Sequence, residues 1–283
     1  MSSRRPKPKG MIEYRASDTV TKKTARVGDK VMIITQVESD TSVTIYIGSN
    51  EIYCIDAQVL KLNDTEYAEI GNLTKIRWDS VCSIEAPFER GKDTIMILEF
   101  AMTYIHNTFP GVKWMKLTDM SERECSGGTV NLAAMKLLTE GKTWYQSRFH
   151  AIIHPSYTAG WDKDMDAANK LKESMPWDDF YFYSKAGDNV IAADRIKELY
   201  ESNNTWQGFF KSILDSTNVV TFCGWISQNG WFNRFVSMRL NINTASVPFI
   251  IDVTQFSKEY DIIKGGTYRK TKKAIRRLKR LMK

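Results

Sequence analysis

The chain has 283 residues, 42% of them hydrophobic and 12% aromatic, which provides enough apolar material for a packed core and excludes a disordered chain. No apolar run approaches the roughly 18 residues that a transmembrane helix needs, so we expect no membrane-spanning segment. The net charge of +7 comes from the ends: residues 1–9 and 264–283 together carry 14 of the 40 basic residues and no acid, which leaves 26 basic against 33 acidic residues between them.

The N-terminal residues 1–29 are predicted to form a basic arm, because MSSRRPKPKG is polar and contains two prolines. From Lys30 the chain consists of short β-branched or alternating runs separated by polar breaks. These runs are KVMIITQV, SVTIYIG, EIYCIDAQVLKL, YAEIGNL and SVCSIEA. They predict successive strands of an antiparallel meander, with GSNE at positions 48–51 as a hairpin turn.

After position 87 the pattern becomes α/β. DTIMILEFAMTYIHNTF, positions 93–109, predicts a helix with Asp93 as its N-cap and a Pro-Gly stop behind it. VKWMKLTD predicts a strand, and TVNLAAMKLLTEG predicts a second helix that ends at Gly141. The following KTWYQSRF, positions 142–149, is rich in aromatic residues and predicts another strand.

Residues 156–262 are predicted to be mostly helical and rich in aromatic residues, with SVPFIIDV as a final strand. The aromatic residues between 176 and 235 recur at helical spacing, which favours core packing, with a protein interface as the second interpretation. Residues 263–283 are predicted to form a basic amphipathic tail. The predicted fold class is therefore α/β: a mixed sheet flanked by helices over residues 30–155, followed by the helical half.

The order of strand, PFERGKDT loop, helix, strand and helix over residues 30–155 resembles the GNAT acetyltransferase superfamily. In that family the loop feeds a helix whose N-terminus holds the pyrophosphate of acetyl-CoA, as the unpaired amides and dipole of a helix start allow. The resemblance also covers NLAAMKLL, positions 131–138, and the aromatic run after it. It implies a GNAT-like sheet and a cofactor site in the loop. The residues that would form this site are Arg90, Gly91, Lys92, Asp93, Thr94 and Ile95.

Two positions in this loop depart from the family pattern. The family glycines fall on Asp93, whose carboxylate would face the phosphate, and on Ile95, whose branched side chain would oppose close approach of the backbone. The tyrosine that often serves as general acid falls on Leu138, which has no proton to give, and Tyr145 is a candidate substitute. We therefore expect no cofactor and a non-enzymatic protein. The alternative is a CoA-dependent N-acetyltransferase.

LAAMKLLTEGKTWYQSRFHA resembles a segment found in uncharacterised proteins of giant nucleocytoplasmic DNA viruses, and TWQGFFKSIL and KGGTYRKTKK have a similar character. This resemblance implies a viral protein, with a minor capsid or virion-associated role as the candidate function. Its partners would be other virion or capsid proteins, and its location the virion, the host cytoplasm or the virus factory.

The basic tail is the clearest sign of a partner. If it is helical, apolar residues at three- and four-residue spacing lie opposite its cations, an arrangement that suits nucleic acid, an anionic membrane surface or an acidic protein groove. A nucleic-acid-binding module is therefore a third candidate function. The predicted anion-binding residues are Arg269, Lys270, Lys272, Lys273, Arg276, Arg277, Lys279 and Arg280.

No metal site is predicted. The cysteines at 54, 82, 125 and 223 form no close pair, so we expect free thiols and a reducing, intracellular setting, with Cys125 as a loop thiol. His150 and His154 flank a predicted strand, whereas two metal ligands four residues apart need a helix. The acids of DKDMDAAN, positions 162–169, lack the central glycine of a calcium loop and predict an acidic first turn of a helix instead.

Overall fold

The computed structural model describes residues 12, 15, 17–48, 53–61, 67–73, 92–256 and 260–268. Two compact units divide the chain: unit 1 comprises residues 1–117 and 252–283, and unit 2 comprises residues 118–251. The fold is mixed α/β, with antiparallel sheets and an aromatic-rich helical region. The observed division at 117/118 and 251/252 differs from the predicted boundary near residue 155. Unit 2 is one continuous segment, whereas unit 1 is made of two.

The strands in chain order are β1 (Thr19–Val27), β2 (Lys30–Glu38), β3 (Ser42–Gly48), β4 (Tyr53–Leu60), β5 (Tyr67–Leu73), β6 (Trp114–Thr118), β7 (Glu122–Cys125), β8 (Gly128–Asn131), β9 (Ile152–Ile153), β10 (Pro248–Asp252) and β11 (Asp261–Tyr268). The α-helices are α1 (Lys92–Thr108), α2 (Leu132–Glu140), α3 (Trp144–Phe149), α4 (Pro155–Ser174), α5 (Trp177–Ser184), α6 (Ala193–Glu201), α7 (Trp206–Ser216), α8 (Val219–Ser227) and α9 (Trp231–Met238).

In unit 1, β1 to β5 pair in sequence order as an antiparallel meander, of which β2 to β5 were predicted, and β11 pairs antiparallel with the free side of β1. One face of the meander is apolar and buried, because alternate side chains of each strand point to it. Met32 and Ile34 of β2 are fully buried on this face, and Ile45 and Ile47 of β3 are 1% exposed.

Helix α1 covers that face. Its Leu98, Met102 and Ile105 have no exposed surface, and the Tyr104 hydroxyl donates to Gln36 Oε1 of β2 at 3.3 Å. After α1 the chain enters β6, which pairs parallel with β5 in the register Tyr67 to Trp114. Strands β5 and β6 with the intervening α1 are therefore a β-α-β crossover, as a parallel pair requires.

Two sequence predictions about this unit need correction, and three others lie wholly or largely outside the described residues. Residues 19–27 form β1 rather than part of a basic arm, because Lys22 and Arg26 alternate with the buried Ala25 and Val27 as strand residues do. Residues 263–268 belong to β11 rather than to the tail. The predicted hairpin turn at 48–51, the strand SVCSIEA and the tail from 269 onward lie wholly or largely outside the described residues.

Unit 2 is built around an aromatic core, as the helical spacing predicted. Its central side chains are at most 1% exposed and come from α5, α7, α8 and α9: Phe180, Trp206, Phe209, Phe210, Phe222, Trp225, Trp231, Phe232 and Phe235. The indole N–H groups of Trp206 and Trp231 donate to backbone carbonyls, to Ala168 O at 2.7 Å and to Trp225 O at 2.8 Å, whereas the buried Nε1 of Trp225 has no hydrogen-bond partner among the described residues. The rings pack mostly in tilted or edge-to-face pairs, so the core is rigid as well as apolar.

A buried lysine is part of this core. Lys172 of α4 is 6% exposed, and its Nζ lies 3.7 Å from the centre of the Tyr200 ring. The same atom donates to Tyr200 O at 3.1 Å, near the C-terminal end of α6, where backbone carbonyls have no partner within the helix. Burial lowers the pKa of Lys172, and the ring and carbonyl stabilise its charge.

Segment 142–149 was predicted as a strand but forms α3. Thr143 Oγ1 accepts from Gln146 N at 3.4 Å, and Gln146 Oε1 accepts from Thr143 N at 2.9 Å. This reciprocal pair is a capping box, which starts a helix and outweighs the strand preference of the aromatic residues behind it. Within the described part of the chain, none of the helices combines the length and the apolar character that a membrane crossing requires.

Candidate functional site

The site implied by the sequence centres on the start of α1. Arg90 and Gly91 lie outside the described residues, and Lys92 is the first residue of α1. Asp93 is the second helical residue, so it is not the N-cap that the sequence predicted. Thr94 and Ile95 follow in the first turn, and both are half-buried. The described residues therefore supply a helix N-terminus with backbone amides at positions 93–95.

Asp93 does not face outward. It is 3% exposed, and its Oδ2 lies 3.6 Å from Nζ of Lys30, the first residue of β2, whose own exposure is 4%. Lys30 Nζ also binds Asp29 Oδ2 at 3.2 Å. Burial lowers the pKa of Lys30, but the hydrogen bond and charge of Asp29 and the charge of Asp93 outweigh it and raise that pKa above its ordinary value.

The buried ion pair corrects one expectation. The Asp93 carboxylate was expected to face and repel a phosphate, whereas it turns inward and its charge is balanced by Lys30. What remains against a bound pyrophosphate is the bulk of Ile95 at a position that needs close approach of the backbone. Because a buried pair is costly to break, Asp93 and Lys30 hold the first turn of α1 against β2. Nothing in the sequence around Lys30 indicated this partnership.

Tyr145, the candidate acid, lies on α3 in unit 2 and is 7% exposed. Its ring packs 6.2 Å from that of Phe149 and 5.0 Å from that of Trp144, measured between ring centres. Burial and, secondarily, the charge of Asp119 raise the pKa of Tyr145. A raised pKa makes proton donation harder, and burial limits access to a substrate.

Asp119 is a buried carboxyl group that the sequence analysis did not single out. It is fully buried, and its Oδ1 accepts from Ser121 N at 3.1 Å and from Ser121 Oγ at 2.5 Å. Its Oδ2 has no hydrogen-bond partner among the described residues. Burial raises the pKa of Asp119, and the Ser121 hydrogen bonds oppose that effect. The spacing of Asp119 and Ser121 could have predicted the turn that they form, but not that the Asp119 side chain is buried.

The NLAAMKLL segment has a structural role. Asn131 is the N-cap of α2, and its Oδ1 accepts from Ala134 N at 2.8 Å. Its backbone N–H donates to Asn233 Oδ1 at 3.0 Å, and its Nδ2 donates to Thr244 Oγ1 at 3.3 Å. Leu138, at the family's tyrosine position, is 3% exposed. Gly141 ends the helix with φ 72°, as the sequence predicted.

The cysteines contradict the prediction of free thiols. Cys125, at the end of β7, and Cys223, on α8, form a disulfide with Cα atoms 5.4 Å apart, and Cys54 is also disulfide-bonded. The β7–β8 hairpin lies close to α8, since Gly127 N donates to Ser227 Oγ at 3.0 Å. Disulfides persist in oxidising surroundings, so the expected reducing setting does not agree with these bonds. The sequence analysis missed this pair because it considered closely spaced cysteines, whereas bonded cysteines can be far apart in sequence.

The histidines and the acidic stretch form no metal centre in the described part of the chain. His150 ends α3 with φ 52°, and His154 precedes α4, where its Nδ1 accepts from Ser156 N at 3.3 Å. The acids at 162, 164 and 166 lie within α4, beyond its first turn and not in a loop.

Comparison of the chain with models of protein families, with curated proteins and with solved structures finds no match.

Proposed function

We propose that this chain is a non-enzymatic structural or interaction protein. The observation that carries the proposal concerns the two positions at which a general acid would be expected, 138 and 145. Leu138 has no proton to give, and Tyr145 is buried with a raised pKa. An acyl transfer that needs a general acid at either position would therefore lack one.

The surface of unit 2 is consistent with binding to other proteins. Four large apolar side chains are two-thirds exposed or more: Met120, Phe182, Val220 and Met238. Phe182 is on α5 and Met238 on α9, and these helices contact each other through Tyr183 and Phe235, whose rings are 5.5 Å apart. Exposed apolar residues on a rigid, aromatic-packed and cross-linked unit suit an interface.

We place this role in the virion of a large DNA virus, as a minor capsid or virion-associated protein with a GNAT-like fold, on the strength of the sequence resemblance. Its partners are other capsid or virion proteins, and its basic tail binds an anionic surface. The disulfide in unit 2 favours a protein that persists in a particle rather than one kept reduced in the cytosol.

Mass spectrometry of purified particles tests the virion role. We expect the protein at a copy number comparable with that of known structural components, retained after washing at high salt. Trace amounts that wash away would contradict it. The same preparation, digested without reductant, also yields the peptide pair that contains Cys125 and Cys223.

The alternative is a CoA-dependent N-acetyltransferase, and one observation favours it. Strands β5 and β6 are parallel and α1 lies between them in the chain, which is the β-α-β order in which phosphate sites at helix N-termini occur. Arg90, Gly91, Lys92 and the amides of residues 93–95 would hold the cofactor. The described residues fit it poorly, because Ile95 occupies the position where the family has glycine.

Titration calorimetry of the full chain with acetyl-CoA separates the two proposals. We expect no heat of binding at high-micromolar cofactor, with an authentic acetyltransferase as the positive control. Saturable heat that is lost in Lys92→Ala but kept in Lys170→Ala, an exposed cation of α4, would overturn the non-enzymatic proposal and support the alternative.

The tail hypothesis has its own test. Residues 264–268 belong to β11, so the deletion begins at 269 and leaves the strand intact. We expect removal of 269–283 to weaken binding to duplex DNA or anionic vesicles. It should also flatten the salt dependence of DNA binding by about 0.9 in slope for each lost phosphate contact. Unchanged affinity and slope would contradict a role for the tail.

A further inference from the structure

Unit 2 contains a cleft with a volume of about 210 Å³. One wall is α4, and the other is the segment that connects α9 to β10. The lining residues are Trp161, Asp164 and Met165 on the helix and Asn241, Ile242, Asn243, Ser246 and Val247 on the segment. Its two walls are far apart in sequence, so no local motif predicted it.

The helical wall is regular. Positions 161, 164 and 165 are three and four residues apart, which puts their side chains on one face of α4. Trp161 is 9% exposed, so its ring is anchored in the core. Asp164 and Met165 are half-buried beside it, whereas the neighbouring Asp162 is exposed and does not line the cleft.

The opposite wall is held by backbone hydrogen bonds. Ile242 N donates to Val236 O at 3.1 Å, and Ser246 N donates to Asn243 O at 3.2 Å. Asn241, between α9 and this turn, adopts φ 54°, a left-handed conformation that asparagine tolerates better than most residues. Ile242 is 4% exposed and fixes the segment to the core. The cleft therefore exists before any ligand arrives, which lowers the entropic cost of binding.

The lining selects for positive charge. Asp164 is its one charged residue, and no ion pair joins it to a described residue. The carboxamides of Asn241 and Asn243 carry acceptor oxygens that can bind a cation, and Trp161 is an aromatic lining residue of the kind that cations contact. No lysine or arginine lines the cleft, so no side chain there offers a positive charge to a phosphate or carboxylate ligand.

The size limits the ligand further. With a volume of about 210 Å³, the cleft suits a ligand the size of an ammonium group on a chain of four or five carbons. Met165, Ile242 and Val247 supply apolar contacts for such a chain.

We propose that this cleft binds a primary ammonium group on a short aliphatic chain, as in a lysine side chain or a free alkyl diamine. The ammonium pairs with Asp164 and contacts the Trp161 ring, while the methylenes pack on the apolar lining. This inference does not depend on the proposed function, because it rests on the cleft alone.

The test is a two-dimensional NMR titration of the full-length protein, followed through the Trp161 indole N–H signal, which the Trp161→Phe variant assigns. The probes are cadaverine, Nα-acetyl-lysine methylamide, 1-pentanol and valerate. We expect both ammonium probes to shift the signal saturably with millimolar dissociation constants, since so small a contact yields about 4 kcal/mol. Pentanol and valerate should bind at least tenfold more weakly.

Asp164→Asn and Asp162→Asn are the matched variants, on the same helix two residues apart. We expect Asp164→Asn to weaken both ammonium probes tenfold or more and Asp162→Asn to leave them unchanged. The rest of the spectrum reports whether each variant is folded. Should Asp164→Asn fail to fold, the comparison of cadaverine with pentanol on the wild type decides, because the alcohol has the same five-carbon chain and carries no charge.

The two ammonium probes distinguish a lysine side chain of a polypeptide from a free diamine as the ligand. Tighter binding of the lysine derivative supports a polypeptide ligand, and tighter binding of cadaverine supports a free diamine. Equal binding of pentanol and cadaverine, affinity retained in a folded Asp164→Asn variant, or no response to either ammonium probe would overturn the proposal.

Discussion

Asp56 lies in the middle of β4 with its Oδ1 atom buried and without a hydrogen-bond partner among the described residues. Cross-strand pairing puts it in one row with Tyr46 of β3 and Thr35 of β2, and Thr35 Oγ1 is buried and unpartnered as well. Burial raises the pKa of Asp56 to about 6, although its own backbone hydrogen bond opposes that effect. The group therefore changes charge close to neutral pH.

This pKa predicts a pH-dependent stability. The folded protein holds the Asp56 proton more strongly than the unfolded chain, whose carboxyl titrates near 3.8. Asp56 therefore contributes most to the free energy of unfolding below about pH 4, where it is protonated, and this contribution is lost as the pH rises through about 6. We expect Asp56→Asn to gain stability relative to the wild type between pH 4 and 7, measured by urea unfolding at several pH values.

The control for Asp56 is Asp40→Asn, a change of the same charge in the exposed turn between β2 and β3. This variant measures how the loss of one exposed negative charge by itself affects stability over that pH range. A pH-independent difference for Asp56→Asn would show that its carboxyl titrates alike in both states.

At the scale of secondary-structure elements, Gly187 has no room for a side chain. It ends the short 3-10 turn 185–187, and a Cβ there would lie 2.8 Å from Nε1 of the fully buried Trp225. Gly160, within α4, has nothing within 4 Å of the same position. Neither glycine has a positive φ, so backbone strain does not contribute to either substitution.

We predict opposite effects of the same substitution at these glycines. Gly187→Ala should lower the free energy of unfolding by about 1–3 kcal/mol, because the indole cannot move without disturbing the aromatic core. Gly160→Ala should raise it by about 1 kcal/mol through helix propensity. Urea unfolding followed by tryptophan fluorescence measures both. Equal effects would mean that the core accommodates a methyl group at Gly187.

Short sequence patterns predicted most helices and strands, whereas contacts between residues far apart in sequence were not predictable. The C-terminal end of α2 was predicted, because Gly141 acts through a hydrogen bond within the last turn, whereas the predicted start included residues 129–131 of β8 and missed the N-cap role of Asn131. α3 was missed since its aromatic residues favour a strand, although Thr143 and Gln146 carried a helix signal in the sequence. The Asp93–Lys30 pair and the Cys125–Cys223 bond join residues 63 and 98 apart, and no pattern in a single sequence specifies such partners.

At the scale of the whole molecule, the disulfide is the covalent constraint on unit 2. It closes a loop of 98 residues, which contains most of the helices of the aromatic core. A cross-link stabilises chiefly by restricting the unfolded chain, and this restriction grows with loop length. Reducing conditions should therefore weaken unit 2 without changing its folded contacts.

We expect the double variant Cys125→Ala/Cys223→Ala to lose about 4.7 kcal/mol in the free energy of unfolding, as the chain-entropy treatment gives for a loop near 100 residues. Denaturant unfolding under non-reducing conditions, followed by tryptophan fluorescence, measures the loss. Peptide mapping of the wild type provides the control, because it verifies that the bond is present. A variant as stable as the cross-linked wild type would contradict the prediction.

The pairing of β1 with β11 has a consequence for synthesis on the ribosome. Residues 19–27 emerge more than 230 residues before their partner at 261–268, a delay on the order of tens of seconds at ordinary translation speeds. Throughout that interval the outer side of the nascent meander has no strand to cover it. Lys22 and Arg26 lie on this strand, where positive charge discourages pairing with another nascent chain. We therefore expect Lys22 and Arg26 to disfavour such pairing until the last strand is translated.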